Sequence, residues 1–218
     1  MCQAPGCAQQ DVPIRKEVKT FDLFIVELEK TVNDTITTDS GLELYIETKF
    51  ENGEFDHRVT QGPVVAVPFK YDTGVEVGDT LYFHHLVVMQ EGQVLTGVDN
   101  HYFVKYGEQA IGNQAIAYKS KKTGEIKCLG GWTLLEPVEE DSEKSDLIEL
   151  VELKEKLPTK GRVVYTCGDG TADDVVVNPG DVVGFKENRD YRIKIDGVEM
   201  YRTRAEDLLY VEEEVHNN

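Results

Sequence analysis

The sequence predicts an all-β protein made of two tandem β-barrels. Three observations carry this reading. Apolar, β-rich runs are short and are separated by Gly, Asp and Asn at close intervals. The runs do not alternate with helical periods as βαβ units would. The same small motifs also occur twice, in the same order.

The runs follow one another along the chain. Phe21–Leu28 is apolar and β-rich, Val64–Val67 follows Gly62-Pro63, and Thr80–Val88 follows Gly78-Asp79. Gln93–Thr96 and Tyr102–Tyr106 are further short strands, and Trp132–Leu135, Arg162–Thr166, Asp181–Phe185 and Tyr191–Ile195 continue the pattern. Two stretches interrupt it. Glu29–Gln61 is long and polar around a small apolar island, and Pro137–Lys160 is strongly charged around another. Loops of this length are uncommon inside compact domains unless they have a function. Each lies between a first strand and a second strand that opens on glycine.

That coincidence exposes the repeat. Gly62-Pro-Val-Val65 answers Gly161-Arg-Val-Val164, 99 positions on, and Val77-Gly78-Asp79 answers Pro179-Gly180-Asp181, 102 positions on. Ile25-Val26-Glu27 answers Leu134-Leu135-Glu136, and Gln114–Tyr118 answers Asp207–Tyr210. Drifting offsets are what loop insertions between repeats produce. The unit boundary is expected within Lys119–Gly131, where Lys119-Ser-Lys-Lys-Thr-Gly124 reads as a turn or linker, which gives a flexible tail over 1–19, a first barrel over 20–122 and a second over 123–218.

Composition narrows the function. Of 218 residues, 40% are hydrophobic, enough for buried cores. Against 41 acidic residues stand 23 basic ones, a net charge of −18 that repels phosphate backbones, so no nucleic-acid partner is expected. No apolar run approaches the ~18–20 residues needed to cross a bilayer, so no membrane partner is expected either. Met1–Asp11 is polar and lacks the apolar centre of a signal peptide. The expected location is the cytoplasm, with Cys2, Cys7, Cys128 and Cys167 as reduced thiols. Cys2 and Cys7 have no second cysteine pair at zinc spacing.

At the repeated residues the chain resembles the GroES (chaperonin-10) family. Trp132–Pro137, Gly161–Tyr165, Pro179–Phe185 and Ala205–Val211 carry the resemblance in the second repeat, and Gly62–Val67 with Val75–Asp79 carry it in the first. It spans about Thr20–Glu213. The resemblance implies two GroES-like barrels, each with a long mobile loop. It also implies a homo-oligomeric ring, joined by pairing Phe21–Leu28 of one copy with Leu208–Glu213 of the next, that caps a GroEL-like chaperonin and encloses non-native protein. ATP would be bound by that partner, and no cofactor or catalytic group is expected in this chain. The tandem form is similar to double-domain co-chaperonins of chloroplasts, and its divergence to co-chaperonins of large tailed bacteriophages. For a phage chain the location would be the host cytoplasm and a capsid protein would be a natural client. The family's roof hairpin falls at Pro68–Thr73 and Gly168–Asp174, intervals so short that the roof is expected to be reduced or absent. A structural or adaptor role, such as a virion component, is the alternative use of the same barrels.

In this family an apolar-x-apolar tripeptide in each loop contacts the chaperonin. By resemblance that role falls on Leu42-Glu43-Leu44 in the first loop. In the second it falls on Ile148-Glu149-Leu150, with Leu147 able to shift the register. Alternate residues of an extended segment point the same way, so each apolar pair enters its partner together. Two other readings stay open. Ser145-Asp146 ahead of Leu147, Ile148 and Val151 also fits a capped amphipathic helix. Thr38–Glu47 also fits a hairpin packed on its own barrel. Enzyme readings lack their motifs: no G-x-G-x-x-G follows a strand, and Gly168-Asp-Gly170 reads as a turn. His84 and His85, read within a strand, face opposite ways. Asp56-His57 has no recognisable nucleophile elbow.

Overall fold

The computed structural model describes residues 18–33, 35–38, 40–45, 57–89, 95, 100–107, 112–138, 159–167, 177–189 and 191–212. The first half contributes β1 (Leu23–Glu27), β2 (Thr35–Thr37), β3 (Glu43–Tyr45), β4 (Gln61–Ala66) and β5 (Thr80–Phe83). It continues with β6 (His101–Lys105), β7 (Ala115–Lys119) and β8 (Ile126–Cys128). The second half contributes β9 (Trp132–Pro137), β10 (Lys160–Thr166), β11 (Val182–Phe185), β12 (Tyr191–Ile195), β13 (Val198–Arg204) and β14 (Leu208–Glu212). Among the described residues there is no α-helix, only 3₁₀ turns at His85–Val88 and Ala205–Asp207. The all-β expectation holds.

Two six-stranded antiparallel sheets form, in the orders β6-β1-β4-β5-β7-β8 and β12-β13-β9-β10-β11-β14. Within them the order β6-β1-β4-β5-β7 repeats as β13-β9-β10-β11-β14, so the doubled motifs of the sequence are a doubled topology. The agreement extends to single residues. Val26 faces Val64 and Ile25 faces Ala66, leaving Val65 as a bulge. Leu135 faces Val163 and Leu134 faces Tyr165, leaving Val164 as the same bulge. The units are barrel-like but open, because the end strands of each sheet do not pair with one another.

The Gly-Asp turns show why the motif recurs. Gly78 and Gly180 sit at φ of 95° and 101°, conformations that glycine adopts without steric cost. Each turn then makes one set of bonds. The Val64 and Val163 amides donate to the Asp79 and Asp181 carbonyls, both at 2.8 Å. The Asp79 carboxylate accepts from the Glu76 amide at 2.9 Å, and the Asp181 carboxylate from the Asn178 amide at 2.8 Å. The aspartate side chain thus satisfies a backbone donor that a tight turn would otherwise strand.

Three apolar clusters fill the molecule. Phe24, Val26, Val64, Leu81, Phe83 and Val104 form the core of the first unit. Leu135, Val163, Val183, Phe185 and Tyr201 form that of the second. The third cluster is shared: Tyr82, Ile116, Ala117 and Cys128 pack against Trp132, Leu134, Ile193, Ile195 and Met200. The β12–β13 hairpin reaches the first unit here. At its tip Asp196 accepts from the Tyr82 hydroxyl at 2.8 Å and from Lys119 Nζ at 2.5 Å. These two bonds hold the Asp196 carboxyl below its usual range, while burial, first, and then Asp196 push the Tyr82 phenol up.

Several details depart from the sequence reading. The run Thr80–Val88 is not one strand: β5 ends at Phe83, and His84 caps the following 3₁₀ turn by accepting the Leu86 amide at Nδ1, 3.1 Å away. His84 and His85 therefore do not face opposite sides of a strand; their rings lie 4.2 Å apart. The stretch Lys119–Gly131 is not only a turn. It holds β8, which pairs with β7 and completes the first sheet. The short Pro68–Thr73 interval agrees with the reading: it carries bends and one isolated bridge, from Pro68 to Thr20, and no roof hairpin, while Gly168–Asp174 lies outside the described residues.

Candidate functional site

The polar stretch after β1 contains a small hairpin. β2 and β3 pair as Thr35↔Tyr45, Ile36↔Leu44 and Thr37↔Glu43, and neither strand joins either large sheet. Thr38 closes the connection: its amide donates to the Leu42 carbonyl at 2.9 Å, and its Oγ1 accepts the Leu42 amide at 3.1 Å. Gly41, at φ 81°, supplies the left-handed step. The hairpin is tethered at its base, where Val32 bridges Arg58 and the Val59 amide donates to the Thr31 carbonyl at 2.9 Å.

Its apolar side chains lack cover. Leu42 is 59% exposed, Leu44 48% and Tyr45 83%. Leu42 and Leu44 are two residues apart on an extended segment, so they share a face, while Glu43 turns away from it. A lone two-stranded hairpin is marginal in water and gains nothing by displaying leucines to solvent. The open alternative of a hairpin packed on its own barrel is half right: the segment is a hairpin, but these leucines are not packed. The other expected tripeptide, Ile148-Glu149-Leu150 with Leu147, lies outside the described residues. Its segment leaves from the end of β9 and returns at β10, the counterparts of β1 and β4, so both candidate segments occupy one topological position.

A second candidate surface is a strand edge. β14 pairs with β11 along one side, and among the described residues its other side meets no strand. Leu209, Tyr210 and Val211 on this edge are 59%, 47% and 37% exposed. The counterpart β7 has the equivalent partner on one side, β5, but its other side is covered by β8. Such an edge is a template for a further strand. The sequence pointed to Phe21–Leu28 as a partner edge too. That strand lies inside the sheet, bonded to β4 and β6, so its backbone is already used.

Among the described residues no group of three His, Cys, Asp or Glu side chains could hold a metal, and no helix is long and apolar enough to cross a membrane.

Comparison with known proteins adds the remaining link. No family model matches the chain. Over 92 residues it is 33% identical to the co-chaperonin GroES of Coprothermobacter proteolyticus, a match covering 94% of that protein and 40% of this chain. With similarity across nearly the whole of that relative, and with an all-β fold of two barrel-like units, this chain belongs to the co-chaperonin GroES family.

Proposed function

We propose that this chain is a non-catalytic co-chaperonin that forms a ring-shaped lid on a GroEL-like chaperonin and encloses non-native protein. The observation that carries the reading is the β2–β3 hairpin, which presents Leu42 and Leu44 on one face with no cover from its own barrel. The 139–158 segment, with Ile148 and Leu150, is the second contact of the same kind. Each contact is weak alone, because burying one leucine contributes only about 1.5–3 kcal/mol and ordering the segment offsets part of that. Several contacts on one ring multiply into useful avidity, which falls away when the partner ring changes shape. Nucleotide is bound by the partner in this reading, and the chain works in the cytoplasm.

The unit division is part of the proposal: 20–122 and 123–218, with a tail before Thr20. The β7–β8 pairing supports a way to close the ring. In a ring, a strand of a neighbouring copy adds to the free side of β14 as β8 adds to β7, giving a closed assembly.

The test is capture by a GroEL-like chaperonin in the presence of nucleotide. Wild-type chain is retained, and Leu42→Ser with Leu44→Ser reduces retention at least tenfold without altering ring mass or melting temperature. Ile148→Ser with Leu150→Ser does the same for the second segment. Undiminished capture by both double variants would remove these residues from the contact. No capture of the wild type would leave a structural role for the barrels instead.

A further inference from the structure

Where the two units meet, a cavity of about 190 Å³ opens beside the shared cluster. His84 reaches it from the first unit, and Trp132, Arg189, Tyr191, Arg202 and Arg204 line it from the second. In a chain of net charge −18 this wall is basic. Arg189, Arg202 and Arg204 line the cavity beside two carboxylates, Asp207 and Glu206, and those two are already engaged. Asp207 lies 3.1 Å from Lys186 and 3.7 Å from Arg189, and Glu206 lies 3.2 Å from Arg204.

Arg202 is left over. It is 3% exposed, and among the described residues its Nη1 has no hydrogen-bond partner. Trp132 Nε1, buried on the same wall, is also without one. Both are donors with no ability to accept. A guanidinium taken out of water without a counter-charge costs several kcal/mol. Its faces are occupied: the guanidinium carbon sits over the Trp132 ring at 5.5 Å and over the Tyr191 ring at 5.3 Å. What remains is the in-plane N–H edge, which suits two oxygens of one anion. His84 adds a third donor. Its Nδ1 accepts the Leu86 amide, so the neutral ring carries hydrogen on Nε2. Burial, then Arg202, His85 and Arg204, lower His84 to about 3, so the ring is uncharged at neutral pH and competes for no anion. Arg202 is lowered to about 10 by burial and stays charged there.

We infer that this cavity is an oxyanion site for a phosphate-sized tetrahedral anion, gripped by the Arg202 edge with Arg204, Trp132 Nε1 and His84 around it. Three lining cations against two lining carboxylates leave one positive charge uncompensated, and the four donor groups on the lining exceed what the two oxygens of a lone carboxylate can engage. Because His84 and the remaining lining residues come from different units, the bound anion ties the units together.

Trp132 is the only tryptophan in the chain, so its fluorescence reports the site directly. Wild-type protein is titrated with inorganic phosphate against chloride at constant ionic strength, with acetate in a parallel arm. The expected result is a saturable change at millimolar phosphate, a melting temperature that rises with phosphate, and at least tenfold weaker binding of acetate. Arg202→Lys keeps the charge but loses the two-pronged edge, and should weaken phosphate binding at least tenfold. Arg204→Gln, nearer the surface, should weaken it severalfold and serves if Arg202→Lys does not fold. A folded wild type with no saturable phosphate response overturns the proposal. So does unchanged affinity in the folded variants. Acetate binding as tightly as phosphate would mean a carboxylate site and would overturn the tetrahedral anion.

Discussion

Truncating the shared cluster should unfold both units, not one. Ile195, 1% exposed on β12, packs in a cluster whose other side is Tyr82, Ile116, Ala117 and Cys128 of the first sheet. Ile195→Ala removes buried methyl groups and leaves a cavity, at a cost of about 2–5 kcal/mol. For a chain of this size each kcal/mol lowers the melting temperature by roughly 2–4 °C. A fall near ~10 °C is therefore expected. Calorimetry at fixed protein concentration should show one transition before and after the change, since association makes melting depend on concentration. Hydrogen exchange should show the β7 amides of Ile116 and Ala117 losing protection in step with those of β9 and β10. Two resolved transitions of which only one moves, or unchanged β7 protection, would refute the reasoning. Either would mean that the units fold independently and that the cluster is mere contact.

Further outcomes can be checked separately. Gly161→Ala should lower stability by about 1–2 kcal/mol, because the new Cβ would lie 2.8 Å from Leu135 Cβ and 3.2 Å from the Glu136 carbonyl oxygen, neither of which can swing away; a higher melting temperature than wild type would contradict this. Asp196→Ala should destabilise by about 1–3 kcal/mol, mostly by leaving the buried Tyr82 hydroxyl unpaired, and adding Tyr82→Phe should recover part of that; a double variant no more stable than Asp196→Ala would sink it. Acid should weaken the fold through His84. Its folded pKa of about 3 lies below the unfolded ~6.5, so stability is fully present above pH ~6.5 and is lost as pH falls toward 3. After solvent screening of this partly exposed ring, about 1–2 kcal/mol is expected, and His84→Asn should flatten that part of a denaturation series. Mass photometry at micromolar concentration should find a closed oligomer, and a monomer would contradict the use of the β14 edge.

The features legible in the sequence are those that local chemistry decides. Val77-Gly78-Asp79 and Pro179-Gly180-Asp181 each encode a left-handed glycine and a carboxylate placed to take a stranded amide, so the turns, and the strands they join, could be read from the residues alone. Gly62 and Gly161 likewise mark the second strand of each unit, where a side chain would meet the neighbouring backbone. Leu42 and Leu44 could be singled out only through the resemblance, which matches them to the family's loop tripeptide; spacing adds that they share a face in any extended segment. The tyrosine match between Tyr118 and Tyr210 could mislead, since the ladders place Tyr210 opposite Gly184 as Ala117 stands opposite Tyr82. A large residue has changed sides of the ladder while the pair's volume is conserved, and only paired strands reveal that. The same limit hid β8 in what reads as a turn, put β1 inside its sheet instead of at an edge, and turned His84 out of the strand. Arg202 looked like any surface arginine until Trp132 and Tyr191 enclosed it. Composition and spacing thus determined the class and the repeat. The tertiary structure decided which edges stay open, how the units share a core and where a charge lies buried. Those depend on contacts such as Tyr82 with Asp196, 114 positions apart, whose cost and gain no local stretch of chain contains.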